Sequence, residues 1–440
     1  MLYKRIADGE RIIYCTEQSD IYITEAQKEG LLKERIEKQE AKLMIQPFDL
    51  DEKRTKLKKL IILLTTSCNL RCRYCYLNYG NYDKEEKIQN IDVNKAKIAI
   101  DMLLKDFPEG IGFIQFFGGE PLVAFGEMRD IYNYIKQVFT ERNLNLPKFG
   151  MVTNGLLLNN QIIDFLNQNK FSVTISVDGD MEIHNKVRIK TDHSDSFKHI
   201  KEKMQAFSEN VSFPLFYEMT LNREHILLYT EGKIKEWLNA IKALGFKSGI
   251  VGVVEFSRDQ TLDFRLEDRS ALEKIYRELV DYFFMELQKE DPQFYNLDVC
   301  KLVWMLLRKD LSDVSCAAGI YQFTLSAEGN FYPCPKFADC NTKVGSVTGQ
   351  KIETEGMRTL IKEDEKEQCR NCWLHYLCKS YCYALNYRNK DNRTVIPIRC
   401  IHMNLLTTNV IRNIVHAKKN EDLDIIMKNI KKYWKEISYH

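Results

Sequence analysis

The chain predicts an α/β fold, a parallel sheet built from strand–helix units, with a small α+β unit before it and a cysteine-rich region after it. Three observations carry this. From residue 60 to about 290, short apolar runs alternate with helical periodicities, six times in series, which argues for right-handed parallel βαβ packing. Residues 1–50 carry strand and turn signals and then a polar, helix-prone stretch. Nine of the 13 cysteines lie between Cys300 and Cys400, in a turn-rich segment poor in long apolar periods. These changes of texture predict domains at 1–50, 55–290 and 300–405, and a helical tail at 406–440.

In order along the chain, Arg11–Cys15 and Ile21–Thr24 read as short strands after an Asp8-Gly9 turn, and Glu25 to about Leu43 as helix. Leu60–Leu64 is an unbroken apolar run, the pattern of a strand buried on both faces. Gly112–Phe117, Gly150–Thr153, Val173–Val177, Leu215–Thr220 and 249–256 complete the strand set. Asp92 can cap a helix whose apolar face is Val93, Ala96, Ile100 and Leu104. Met128, Ile131, Ile135, Val138 and Phe139 mark a second helix. Ile234, Trp237, Leu238, Ile241 and Leu244 mark a third, stopped by Gly245. In the tail, Leu405, Val410, Ile414, Ile425, Ile426 and Ile430 return to helical spacing.

Composition narrows the class. Hydrophobic residues are 44% and charged residues 29%, as in a globular enzyme, and the formal net charge of +2 gives no sign of a nucleic-acid surface. No apolar run approaches membrane-spanning length, and the opening MLYKRIADGERIIYC lacks the apolar core of a signal peptide, so a cytoplasmic protein is expected. Cysteines in that compartment serve metal or redox cofactors more than disulfides.

Cys68, Cys72 and Cys75 fall in the run CNLRCRYCY, spaced C-x3-C-x2-C, just after the Leu60–Leu64 strand. Three thiolates can hold three irons of a [4Fe–4S] cube and leave the fourth open, whereas a fully protein-held cluster takes four. A zinc site would need a fourth ligand nearby, and no His or Cys occurs between Cys75 and His184. The run, with Tyr74 before its last cysteine, resembles the signature of the radical S-adenosylmethionine enzymes. That resemblance implies an open, six-unit partial (β/α)6 TIM-like barrel. It also implies S-adenosylmethionine on the open iron, cleaved to a 5′-deoxyadenosyl radical under anaerobic conditions. The electron donor would be one such as flavodoxin or ferredoxin.

Further strand ends fit the same resemblance. Gly118-Gly119-Glu120-Pro121 matches the family motif for the methionine amino group: glycines let the backbone approach closely and Glu120 can accept from an ammonium. Asn154, Ser176, Asp178 and Arg188 are the remaining cofactor contacts it implies, through ribose hydroxyls and a carboxylate. Strand-end capping accounts for any one of these residues equally well.

Eight C-terminal cysteines suit two four-Cys clusters, and spacing alone does not separate these from a pair of zinc sites. With the upstream motif, the segment resembles the SPASM extension, which carries two auxiliary [4Fe–4S] clusters, three in all. By that resemblance Cys369, Cys372, Cys378 and Cys400 hold the distal cluster. Cys316, Cys334 and Cys382 hold the proximal one, with Cys340 the nearest fourth ligand and an open iron the other option. Cys300, in the helix-like KLVWMLL, reads as a core thiol.

SPASM relatives include anaerobic sulfatase maturases, which make formylglycine, and peptide maturases, which cross-link ribosomal peptides. The resemblance gives the sulfatase maturases an Asp, their general base, just after Tyr-Pro-Cys. Here Tyr332-Pro333-Cys334 is followed by Pro335, which takes no proton. Lys336 and Asp339 are nearby, and spacing favours neither as base. The N-terminal strands and helix resemble a shortened precursor-peptide recognition domain, which would bind a leader peptide by strand addition. A cap over the barrel end is the alternative for this unit. The sequence thus points to an oxidative enzyme that forms a thioether or related cross-link in a precursor peptide, with sulfatase maturation as the second reading.

Overall fold

The structure, a computed structural model, describes residues 3–8, 10–15, 20–24, 54–80, 89–207, 209–255, 257, 259–309, 316, 318–338, 342–353, 369, 371–378, 382–388 and 398–438. The helix expected from Glu25 to Leu43, Asp339 and Cys340 lie outside these residues.

β1 (Tyr3–Asp8), β2 (Glu10–Cys15) and β3 (Asp20–Thr24) form an antiparallel sheet in that order. β1 was not expected from the sequence; it pairs antiparallel with β2, with Asp8 opposite Glu10. Tyr14 of β2 is buried and meets the Trp373 ring edge-on at 5.9 Å, and Asp20 pairs with Lys309 at 2.9 Å. The unit therefore rests on the cysteine-rich segment and on the end of the helix Leu297–Arg308.

β4 (Leu57–Leu63) leads into the short β5 (Leu70–Cys72). β6 (Ile111–Phe117), β7 (Lys148–Thr153), β8 (Ser172–Ser176), the short β9 (Arg188–Lys190), β10 (Leu215–Leu221) and β11 (Ser248–Val253) follow. β4, β6, β7, β8, β10 and β11 are neighbours in that order, all parallel. They match the six expected strands to within about three residues at either end. β4 and β11 do not pair with each other, so the barrel is open. Asp92 caps its helix as expected, accepting from Asn94 N at 2.8 Å, and Gly245 ends the helix Lys233–Ala243 at φ +93°.

The sheet runs on beyond the six strands. β12 (Tyr295–Asn296) extends it past β11; β13 (Gln322–Leu325) lies parallel to β4, and β14 (Asn330–Tyr332), β15 (Gly345–Ser346) and β16 (Lys351–Ile352) continue it antiparallel. The main sheet is thus mixed, and part of the cysteine-rich region is built onto the barrel's edge. These added strands are two to four residues long, too short to give a sequence period.

One apolar core spans the barrel and the tail helices. Phe116, Phe149 and Phe171 stack between sheet and helices, and Tyr132 meets Phe149 at 4.8 Å. Each such fully buried side chain contributes about 1.5–3 kcal/mol. The first tail helix is Ile398–Lys419, so it crosses the boundary expected at 405/406. Among the described residues no helix is long and apolar enough to cross a membrane.

Candidate active site

At the carboxyl ends of the strands lies a cavity of about 560 Å³, within the range of small-molecule sites. Its floor begins where β4 and β6 end together, with Leu64 N donating to Phe117 O at 2.8 Å. Residues 65–67 then cross the end of β6, and Gly119 N and Glu120 N donate to Thr65 O and Ser67 O at 2.9 and 2.8 Å. A Cβ on Gly118, at φ +134°, would stand 2.7 Å from Thr65 O; one on Gly119 would stand 2.1 Å from Ser67 O. The close approach these glycines permit is therefore to the chain that leads into the cysteine motif, not only to a ligand.

Cys68, Cys72 and Cys75 line this end of the cavity, partly buried and free of disulfides. The loop that carries them is tied down on several sides. β5 pairs with β9, which sets Cys72 opposite Arg188. Arg73 N donates to Val187 O, and its guanidinium pairs with Glu224 and Asp259, both at 2.8 Å. Burial pushes the Cys68 thiol up to about 12, so a thiolate here needs a cationic partner such as iron. Among the described residues no three His, Cys, Asp or Glu side chains converge as a single-ion site requires. Thiolates of a cubic cluster sit on separate irons and need no such convergence.

Glu120 is buried and caps the turn Pro121–Ala124. It accepts from Leu122 N at 3.0 Å, Thr153 Oγ1 at 2.6 Å and Asn154 N at 2.8 Å. Burial raises its pKa against these donors. It thereby fastens the end of β7 to the glycine turn while still facing the cavity. Asn154 Nδ2 donates to Asn69 Oδ1 at 2.7 Å, joining the β7 end to the motif loop. Ser176 lines the cavity from β8, beside Glu218 on β10.

Asp178 is fully buried and behind the cavity wall. Tyr74 Oη and Arg188 Nε both donate to its Oδ2, at 2.5 and 2.7 Å, and Thr220 N donates to Oδ1 at 2.8 Å. Burial works against its charge, but Arg188, the neighbouring histidines and the Tyr74 hydrogen bond together outweigh that and hold its pKa below the usual range. Arg188 also stands over the Tyr74 ring and 3.9 Å from Cys72 Sγ, and it does line the cavity. The carboxylate nearest Arg188 is thus the chain's own, and Asp178 acts through Tyr74 and Arg188.

The opposite wall comes from two helices with one spacing. Asp298, Lys301, Leu302 and Met305 line the cavity from Leu297–Arg308; Arg399, His402, Met403 and Leu406 line it from Ile398–Lys419. Both sets are i, i+3, i+4, i+7, one face of a helix. Between them Glu255, two residues past β11, pairs with Lys336 and Arg399. Of this wall the sequence reading named only Lys336. Glu218, Asp298, Lys301, Arg399 and His402 were missed. Their signal, a charged residue inside an apolar strand or helix, is weak until the fold is known.

Cys316, Cys334 and Cys382 pack into one apolar cluster with Tyr332, Phe337 and Tyr383. Burial pushes the Cys334 thiol up to about 12. Cys369, Cys372 and Cys378 follow in successive turns, with Cys372 N donating to Cys369 O and Cys378 N to Leu374 O. Cys400 is exposed in the first turn of Ile398–Lys419. Cys300 is fully buried in core, as expected.

The Radical SAM superfamily matches residues 62–264, the span from β4 past β11. The chain is a radical S-adenosylmethionine enzyme. Its chemistry rests on S-adenosylmethionine and a [4Fe–4S] cluster. It is 24% identical over 355 residues to the cysteine-type anaerobic sulfatase-maturating enzyme of Clostridium perfringens strain 13, covering 78% of this chain and 93% of that one. Its fold resembles that of native anSMEcpe with bound AdoMet and Cp18Cys peptide, with a TM-score of 0.66, 19% identity and coverage of 83% and 99%. It also resembles Streptococcus suis SuiB bound to precursor peptide SuiA, with a TM-score of 0.52, 15% identity and coverage of 88% and 95%.

Proposed function

We propose that this enzyme oxidatively modifies a ribosomally made peptide, closing a thioether or related cross-link, and that it holds three clusters to do so. The carrying observation is that one cavity is lined both by the motif cysteines and by Lys336 and Arg399, neighbours in sequence of Cys334 and Cys400. Cys68, Cys72 and Cys75 hold the radical cluster. With S-adenosylmethionine bound, that cluster supplies a carbon radical that takes one hydrogen atom from a peptide carbon. Glu120 and Gly119 keep the motif loop in place, Arg188 and Tyr74 brace Cys72 from behind, and Asn154 and Ser176 offer hydrogen bonds on the ribose side. Closing a carbon–sulfur bond then requires the peptide to lose one electron and one proton. Auxiliary clusters on Cys316, Cys334, Cys382 and Cys340, and on Cys369, Cys372, Cys378 and Cys400, supply the electron acceptor. The β1–β3 sheet is the place for a leader peptide, since among the described residues its outer strands pair with no further strand.

Formylglycine formation is the second reading, favoured by the likeness to the sulfatase-maturating enzyme and to the peptide-bound anSMEcpe structure. The chain's own Pro335, which begins the turn after Cys334, weighs against it, because no side-chain proton acceptor stands there. The test is mass spectrometry of the reconstituted enzyme with a cysteine-type sulfatase peptide and with cysteine-rich peptides encoded beside its gene. Loss of two hydrogens with thiols blocked to alkylation supports the cross-link. Formylglycine at a matching rate overturns it. Metal analysis accompanies this: about 12 iron and 12 sulfide per chain are expected for three cubes, and about four iron with two zinc would remove the auxiliary clusters from the proposal.

A further inference from the structure

Glu255 is an anion with two cations. Its side chain is 4% exposed, and it pairs with Lys336 and with Arg399 across 81 and 144 residues of sequence. It stands just past the end of β11, where Val254 N donates to Leu221 O at 2.7 Å, so its backbone is set by the barrel. The two cations come from the cysteine-rich side: Lys336 follows Cys334 by two residues, and Arg399 immediately precedes Cys400. All three line the cavity, whereas Cys316, Cys334 and Cys382 do not. The trio therefore forms part of the boundary between the reaction chamber and these three thiols, beside Tyr76, Leu77 and Phe117, which line the cavity and pack in the same cluster as the thiols. Lys336 lies in the turn Pro335–Phe337 that Cys334 begins, so this cation and that thiol share one turn.

Lys336 and Arg399 each place a positive charge at this boundary, and Glu255 a negative one. A reduced iron–sulfur cluster carries one more negative charge than an oxidised one, so neighbouring charge sets its potential. We propose that Glu255, Lys336 and Arg399 form a charge-setting unit: the two cations raise the potential of the proximal auxiliary cluster, and Glu255 positions them and limits the rise. This rests on the reading that Cys316, Cys334 and Cys382 hold such a cluster. The three are positioning residues. They make the cluster a better acceptor for an electron leaving the chamber while the barrel fixes their distance from it.

The test needs no substrate. The reconstituted full chain is titrated under EPR, with and without S-adenosylmethionine; the signal that S-adenosylmethionine perturbs is the radical cluster, and the proximal signal is identified by its loss in Cys334→Ala. Glu255→Gln removes the anion and moves the proximal midpoint to more positive potential. Lys336→Gln and Arg399→Gln each remove a cation and move it to more negative potential. Iron content equal to the parent's shows that the cluster is intact in each variant. Opposite signs are the signature, since loosened packing would not reverse direction with the charge removed. Midpoints that do not move, or that move the same way in all three variants, overturn the unit. If Glu255→Gln fails to fold, the partly exposed Lys336 decides alone. A parent without any auxiliary signal overturns both this inference and the cluster reading on which it rests; a parent with the signal and unmoved variants overturns this inference alone.

Discussion

The two cysteine regions are built by different means. The Cys68–Cys75 loop is fixed by the sheet: backbone bonds from the glycine turn, the β5–β9 ladder and the Arg73 ion pairs hold it from three sides. The segment with Cys369, Cys372 and Cys378 is held by local turns, by Leu374 and Leu377 packed into the apolar core, and by Trp373 against Tyr14 of the N-terminal sheet. Protein geometry forms the first site ahead of its cluster. On the proposed reading the second completes its shape on metal, because small cysteine-rich segments take much of their folding free energy from the ions they bind.

The largest expected break in this contrast is functional. Replacing Cys68, Cys72 and Cys75 together by Ala should abolish 5′-deoxyadenosine formation. Cys369→Ala or Cys400→Ala should retain some cleavage and lose peptide product, read by chromatography of both. Normal product from a Cys400→Ala protein shown to lack its cluster would merge the two regions into one role.

Gly119→Ala comes next. The new methyl meets Ser67 O and must push the motif loop away, at a cost of about 1–3 kcal/mol typical of overpacking. Iron at the radical site should fall although no cysteine is changed. Full iron in this variant would mean that the loop adjusts freely.

Removing metal sharpens the comparison. After anaerobic chelation, hydrogen exchange should rise in the described residues of 369–388 and stay slow in β4, β6 and β7, because those described residues pair into no sheet. Uniform loss of protection would make the barrel equally dependent on iron.

The smallest effect is acid sensitivity. Burial pulls the pKa of His184 down to about 3 and those of His225 and His402 to about 4. His184 and His225 accept backbone N–H bonds at Nδ1, from Asp178 and Asn222, which only the neutral ring can do. The unfolded chain gains a proton at each near pH ~6.5 and the folded chain does not. Stability is therefore fully present above that pH and falls towards pH ~4, by about 1.4 kcal/mol per unit for each ring. Urea midpoints at about pH 7.5 and 5.5 measure it; equal midpoints would mean the rings charge while folded.

Much of the barrel was legible because its signals are local. Leu60–Leu64, the Asp92 cap and the three-cysteine run each fall within a few residues of sequence. The chamber's far wall was not, because it is made by partners far apart: Glu255 meets Arg399 across 144 residues, and the helix that carries Arg399 has little polarity of pattern to place its faces. The partner of Arg188 was misjudged for a related reason. A strand-end Asp reads as ligand-facing, yet Asp178 turns inward to Arg188 and Tyr74. β13 to β16 escaped notice because pairing, not pattern, makes strands of that length.

The contact between Gly118-Gly119 and residues 65–67 also bears on how this chain can be recombined. Two segments some fifty positions apart share one interface with no room for a side chain between them. A chimera that joins a foreign segment 62–80 to the native turn at 118–120 mixes two loops that were fitted to different partners. Crossovers placed before residue 57 or after residue 124 keep the pair together, and libraries of hybrid enzymes built with that rule should lose fewer members to empty iron sites.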